Sequence, residues 1–173
     1  IDYAEVIARI RKELGERLAD VAINRYPDPR APGLKAALRD AMGIPVGLDM
    51  VLGNGSDELL LVFAMALAKP GATMLALEPS FVMYRMSAVL AGLRYEGVDL
   101  APDFAIDLPA VRAAIARHRP ALTWIAYPNN PTGATYTKEE VEALAAVIRK
   151  YDVFVLSDEI YSELTYDGGH TSI

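Results

Sequence analysis

The chain has 173 residues, of which 53% are hydrophobic and 23% charged, proportions that place it among folded globular proteins rather than disordered or fibrous ones. A net charge of -6 argues against a general nucleic-acid binder, and the absence of cysteine excludes disulfides, thiolate metal sites and cysteine nucleophiles. Only two histidines, His118 and His170, are available for a histidine-rich metal site, and no apolar run approaches the roughly 20 residues that span a bilayer, so no metal and no membrane contact are expected and the expected location is cytoplasmic.

In chain order, Asp2 to Leu18 places Val6, Ile10 and Leu14 on one face, a helix pattern that is charged and amphipathic rather than signal-like. "NRYPDPRAPG" interrupts it with three prolines and a glycine, predicting an extended, exposed loop, and Leu34 to Met42 reads as a short helix. "MVLGNGSDELLLVFAMALAKPG" predicts a short strand, a glycine-rich turn and an apolar helix closed by Pro70-Gly71. Then "TMLALEP", "RYEGVDL", "LTWIAYP" and "VFVLSDE" read as strands, alternating with helices over Phe81–Leu90, Leu108–His118 and Lys138–Lys150. The last has a capping box at Thr137 and Glu140, with Val141, Leu144, Ala145 and Ile148 sharing a face. Strands alternating with helices require crossover connections, so the expected fold is α/β: a three-layer αβα arrangement around a mostly parallel sheet. The expected division is an N-terminal helix and loop over 1–31 and a ligand-binding α/β part over 32–173.

Parallel sheets bind ligands at the carboxyl ends of their strands, and three polar motifs fall there: "GNGSDE", "YPNNPTG" and "SDEIY". In the first, two glycines permit a tight turn, and the amides of Ser56, Asp57 and Glu58 point from a helix N-terminus, an arrangement suited to a phosphate; equally, Ser56 or Asp57 simply caps the helix. Glu58 stands where G-x-G-x-x-G needs its third glycine, which weakens a dinucleotide reading, and G-x-S-x-G is not matched. In "LSDEIY" a strand delivers Asp158 and Tyr161 to its polar end, where a carboxylate suits a protonated ring nitrogen and a phenol suits a phenolate oxygen; an Asp-Glu pair at a strand end is more often a cap or a solvated edge. Phe81 offers a stacking surface for a flat ring, or a core aromatic.

"YPNNPTG" followed by "SDEIY", with "GNGSDE" and "EPSFVMY" upstream, resembles the fold-type I aminotransferases, which use pyridoxal 5'-phosphate. The resemblance implies that Asn130 hydrogen-bonds the cofactor's phenolic oxygen together with Tyr161, with Pro131 and Gly133 fixing the corner. It implies that Asp158 pairs with the pyridinium nitrogen, that Phe81 stacks on the ring, and that Ser56 and Asp57 belong to the phosphate cup. "AINRYPDPRAPGLKAAL" and "PSFVMYRMSAVLAGLRYEGVDL" are most similar to the histidinol-phosphate branch, in which the tyrosine matching Tyr26 reaches the cofactor phosphate of the other subunit of a dimer. That branch exchanges an amino group between an amino donor and 2-oxoglutarate.

From about Tyr136 onward the chain looks closer to the aspartate and aromatic branches, consistent with a chimera. It ends at Ile173, ahead of the loop where the family carries its cofactor-bonding lysine, and none of Lys12, Lys35, Lys69, Lys138 and Lys150 has that context. The expectation is a fragment with no appreciable transaminase activity alone and no catalytic residue of its own. Its "VFVLSDE" strand would lie at a hydrophobic sheet edge, favouring a homodimer or a domain-swapped oligomer. The alternatives are a non-catalytic module that binds pyridoxal phosphate or phosphate, and a chimeric fragment whose relevant property is assembly.

Overall fold

The computed structural model describes residues 2–166 and 169–172. The chain forms two compact units, Ile1–Val51 and Leu52–Ile173.

In the first unit, helix α1 (Tyr3–Ala19) starts where the Asp2 carboxylate accepts from the amides of Ala4 and Glu5. Of its expected apolar stripe, Ile10 and Leu14 are about half exposed and Val6 is partly buried. Helix α2 (Pro32–Met42) begins two residues earlier than predicted. Pro32 and Gly33, assigned to the loop on sequence, form its first turn, because proline at the first helical position lacks only an N–H that the helix does not use. Gly43 ends it in the left-handed region at φ 62°, and the Arg39 guanidinium fastens the following loop by donating to the carbonyls of Ile44, Pro45 and Leu48.

The second unit is the α/β sandwich: α3 (Ser56–Leu67), β1 (Thr73–Glu78), α4 (Val82–Leu90), β2 (Arg94–Asp99), α5 (Leu108–His118), β3 (Leu122–Ala126), α6 (Lys138–Ile148) and β4 (Phe154–Asp158), then a 3-10 turn at Ser162–Leu164. The sheet order is β2-β1-β3-β4 and every pairing is parallel. One prediction fails here: Met50 to Leu52 is not a strand. A strand needs a neighbour's row of amides and carbonyls, and none of the four strands pairs with this segment.

Alternate strand residues serve opposite layers. Met74, Ala76, Leu122 and Trp124 pack with Leu60 and Ala64 of α3 and Tyr84 and Ala88 of α4. Leu75, Leu77, Val98 and Ile125 face Val111 and Ile115 of α5 and Leu144 and Ile148 of α6. Burying each of the larger side chains contributes roughly 1.5–3 kcal/mol. The capping box opens α6 as expected, Glu140 N donating to Thr137 Oγ1 at 3.2 Å and Thr137 N to Glu140 Oε2 at 2.7 Å. β3 is buried throughout, whereas β4 pairs with β3 alone among the described residues and leaves Phe154 49% exposed at the sheet edge.

Candidate functional site

Because all strands are parallel, their carboxyl ends share one rim, and chain direction across the sheet reverses between β1, which leads outward to β2, and β3, which leads to β4 on the other side. Such a reversal opens a crevice at the strand ends. A cavity lies there, and its walls come from four separate stretches: Ser56 at the start of α3, Phe81 and Tyr84 after β1, Ala126, Pro128 and Asn130 at and beyond the end of β3, and Asp158, Ile160 and Tyr161 at and beyond the end of β4.

Asp158 is the last residue of β4. Its Oδ2 accepts from the Tyr84 hydroxyl at 2.7 Å, and its Oδ1 from the Ile160 amide at 3.3 Å. Tyr84 is fully buried and lies parallel to Trp124, ring centroids 5.1 Å apart at 3°, while Phe81 meets it edge-on at 5.9 Å. Burial, reinforced by the Asp158 carboxylate, drives the Tyr84 phenol far above its usual ionisation range, so it is a neutral donor.

The two asparagines of "YPNNPTG" divide their work. Asn129 is 3% exposed; its Oδ1 accepts from Thr132 N (3.2 Å) and Thr132 Oγ1 (2.8 Å), its Nδ2 donates to the Pro79 carbonyl (3.3 Å), and its backbone pairs with Gly133 and Ala134. Gly133, at φ 72°, supplies the left-handed residue this tight corner needs. Asn130 projects into the cavity, its Nδ2 donating to the Tyr161 hydroxyl at 3.4 Å.

At α3, the residue before the helix is Gly55, at φ 82° and without a side chain to cap it, so neither Ser56 nor Asp57 acts as the cap. Gly53 passes so close to Leu59 that a Cβ would stand 2.9 Å from that side chain. Ser56 reaches the cavity; Asp57 is exposed and is not among the lining residues. Tyr26 is fully exposed in the Ile1–Val51 unit. No lysine lines the cavity among the described residues.

This donor set fits pyridoxal phosphate: one carboxylate for a protonated ring nitrogen, an amide and a phenol together for a phenolic oxygen, an aromatic wall for a flat ring, and uncapped helix amides beside a serine for a phosphate. Sequence reasoning did not single out Tyr84 as a site residue. Its position three residues after Phe81, one helical turn on, is a signal that could have found it.

Beside the corner, Glu159 anchors the tail. Its Oε1 accepts from Ser157 Oγ (2.6 Å) and Ser172 Oγ (2.7 Å), its Oε2 lies 2.6 Å from His170 Nε2, and the His170 ring stacks on Tyr127 at 4.5 Å. Burial opposes ionisation of Glu159, but these hydrogen bonds outweigh it and hold the carboxyl below the ordinary value of 4.5. A lowered value stabilises the fold above the unfolded-state pKa, and the contribution is lost as pH falls through the folded one. Glu159→Gln should therefore lower Tm near pH 7, with the gap to the parent closing as the pH is taken to about 3; a pH-independent gap would refute this.

The family described as "Aminotransferase class I and II" matches residues 2–172. The chain is 52% identical over 158 residues to a histidinol-phosphate aminotransferase of Chromobacterium violaceum, covering 91% of this chain and 44% of that protein. It is 53% identical over 156 residues to the enzyme of that name from Neisseria meningitidis, covering 90% and 42%. Among solved structures, a Thermus thermophilus aspartate aminotransferase mutant superposes with a TM-score of 0.76 at 33% identity, over 86% of this chain and 43% of that one. N-succinyldiaminopimelate aminotransferase from Mycobacterium tuberculosis does so with a TM-score of 0.71 at 28% identity, over 86% and 41%. The chain thus spans less than half the length of the curated relatives it matches. The order of its elements, the cavity at its strand ends and these matches agree: the chain belongs to the class I and II aminotransferases.

Proposed function

We propose that the Leu52–Ile173 unit is the cofactor-ring site of a pyridoxal-phosphate-dependent aminotransferase, and that the whole protein moves an amino group between histidinol phosphate and 2-oxoglutarate. The observation that carries the reading is the convergence of Ser56, Phe81, Asn130, Asp158 and Tyr161 on one cavity, in a chain 52% identical to a histidinol-phosphate aminotransferase. When bound, pyridoxal phosphate supplies an electron sink and a carrier for the amino group.

In this reading Asp158 holds a proton on the ring nitrogen, Asn130 and Tyr161 donate to the phenolic oxygen, and Phe81 covers one face of the ring and excludes water from it. Ser56 and the first amides of α3 bind the phosphate, with Asp57 contributing through its backbone N–H. Tyr26 is assigned, on the resemblance alone, to the cofactor phosphate of the other subunit in a dimer. The uncovered β4 edge supports assembly as a homodimer or by domain swapping, and the biosynthetic reaction suits the cytoplasm. A second reading is a module that binds pyridoxal phosphate without turning it over, since the same donor set serves binding alone.

Both readings require cofactor binding. Trp124, the only tryptophan, packs beneath Tyr84 at the cavity wall, so a pyridoxal phosphate titration should quench its fluorescence saturably. Absence of saturable quenching would sink both. Amino transfer from histidinol phosphate to 2-oxoglutarate separates them.

A further inference from the structure

We infer that Tyr84 is a positioning residue, whose hydroxyl fixes the Asp158 carboxylate in a single rotamer at the cavity wall. Three observations combine. The 2.7 Å bond joins α4 to the end of β4 across 74 residues of sequence, so it exists only in the assembled sandwich. The other contact recorded for the carboxylate, from the Ile160 amide at 3.3 Å, is longer than the usual 2.7–3.2 Å range for N–H donors, so Tyr84 is the stronger restraint. Tyr84 itself has little freedom, being fully buried, parallel to Trp124 and edge-on to Phe81.

A buried phenol also needs a partner, and Asp158 is the one recorded for its hydroxyl. If Tyr84 served packing alone, phenylalanine would fill the same space without burying an oxygen. A carboxylate offers about four acceptor positions. Tyr84 and Ile160 occupy two, leaving the others for a ligand's N–H. The phenol thus sets the direction in which Asp158 meets that ligand, and its neutrality lets it act only as a donor to the carboxylate. The identity of the ligand rests on the reading proposed above; the restraint on Asp158 does not.

The test is Tyr84→Phe in the full 173-residue chain. With 13C- and 15N-labelled protein free of ligand, three-bond couplings to Asp158 Cγ should report one χ1 rotamer in the parent and averaging between rotamers in the variant. Couplings unchanged by the substitution would overturn the proposal. Should the variant not fold, the parent decides: a slowly exchanging Tyr84 hydroxyl resonance with a cross-peak to Asp158 supports the bond, and exchange as fast as that of an exposed tyrosine overturns it. Pyridoxal phosphate affinity should also fall about tenfold in Tyr84→Phe, yet be unchanged by the same substitution in an Asp158→Asn background, a coupling that a purely structural loss would not produce. If pyridoxal phosphate fails to bind the parent while the rotamer result holds, the cofactor reading fails and the positioning role stands.

Discussion

Asp158→Asn should weaken pyridoxal phosphate binding by about tenfold to a hundredfold, since hydrogen bonds to charged groups are worth roughly 1.5–3 kcal/mol and each 1.4 kcal/mol is a factor of ten. The substitution removes a charge and, because asparagine has one side-chain oxygen where the carboxylate uses two, also gives up the 3.3 Å contact from the Ile160 amide. Asparagine has the same shape, and its Oδ1 can still accept from the Tyr84 hydroxyl, so the wall formed by Tyr84, Trp124 and Phe81 keeps its packing. What is lost is the carboxylate facing a protonated ring nitrogen inside a partly buried cavity, where an ion pair is screened less than at the surface. Trp124 quenching titrations of parent and variant measure the effect. Equal affinities would mean that Asp158 does not meet the ring. Far-UV circular dichroism of the same samples separates loss of this contact from loss of the fold.

Much of this arrangement was legible in the residue order. Short apolar runs alternating with helical patterns predicted the parallel sandwich, and "YPNNPTG" and "SDEIY" landed on one rim because a parallel sheet sends every carboxyl end the same way, whereas "GNGSDE" reaches the cavity from the start of α3 and not from a strand. The capping box at Thr137 and Glu140 was readable because it is entirely local. The failures are tertiary. Met50 to Leu52 carries strand-forming residues, yet strand formation depends on a neighbour that local sequence cannot supply. The bond from Tyr84 to Asp158 spans 74 residues and leaves no periodic trace. Likewise "NN" gives no sign of which asparagine holds the corner and which enters the cavity, since that follows from how the chain turns after β3.

That division of labour predicts opposite phenotypes for neighbouring residues. Asn129→Ala removes two bonds accepted from Thr132 and one donated to the Pro79 carbonyl, all at a side chain 3% exposed, and leaves their partners unsatisfied. Its expected cost is about 3 kcal/mol, a fall in Tm of roughly 6–12 °C for a chain of this size. Asn130→Ala forfeits only a 3.4 Å contact with the exposed Tyr161 hydroxyl, so its Tm should stay within the roughly 0.5 kcal/mol range of ordinary surface changes. Pyridoxal phosphate affinity should respond the other way, Asn130→Ala weakening it by about three- to tenfold through loss of a donor to the phenolic oxygen. Thermal denaturation and Trp124 titration on both variants test this. If Asn130→Ala proved the destabilising change and Asn129→Ala the one that spared the fold, the corner would be built the other way round, and the amide offered to the ligand would be that of Asn129.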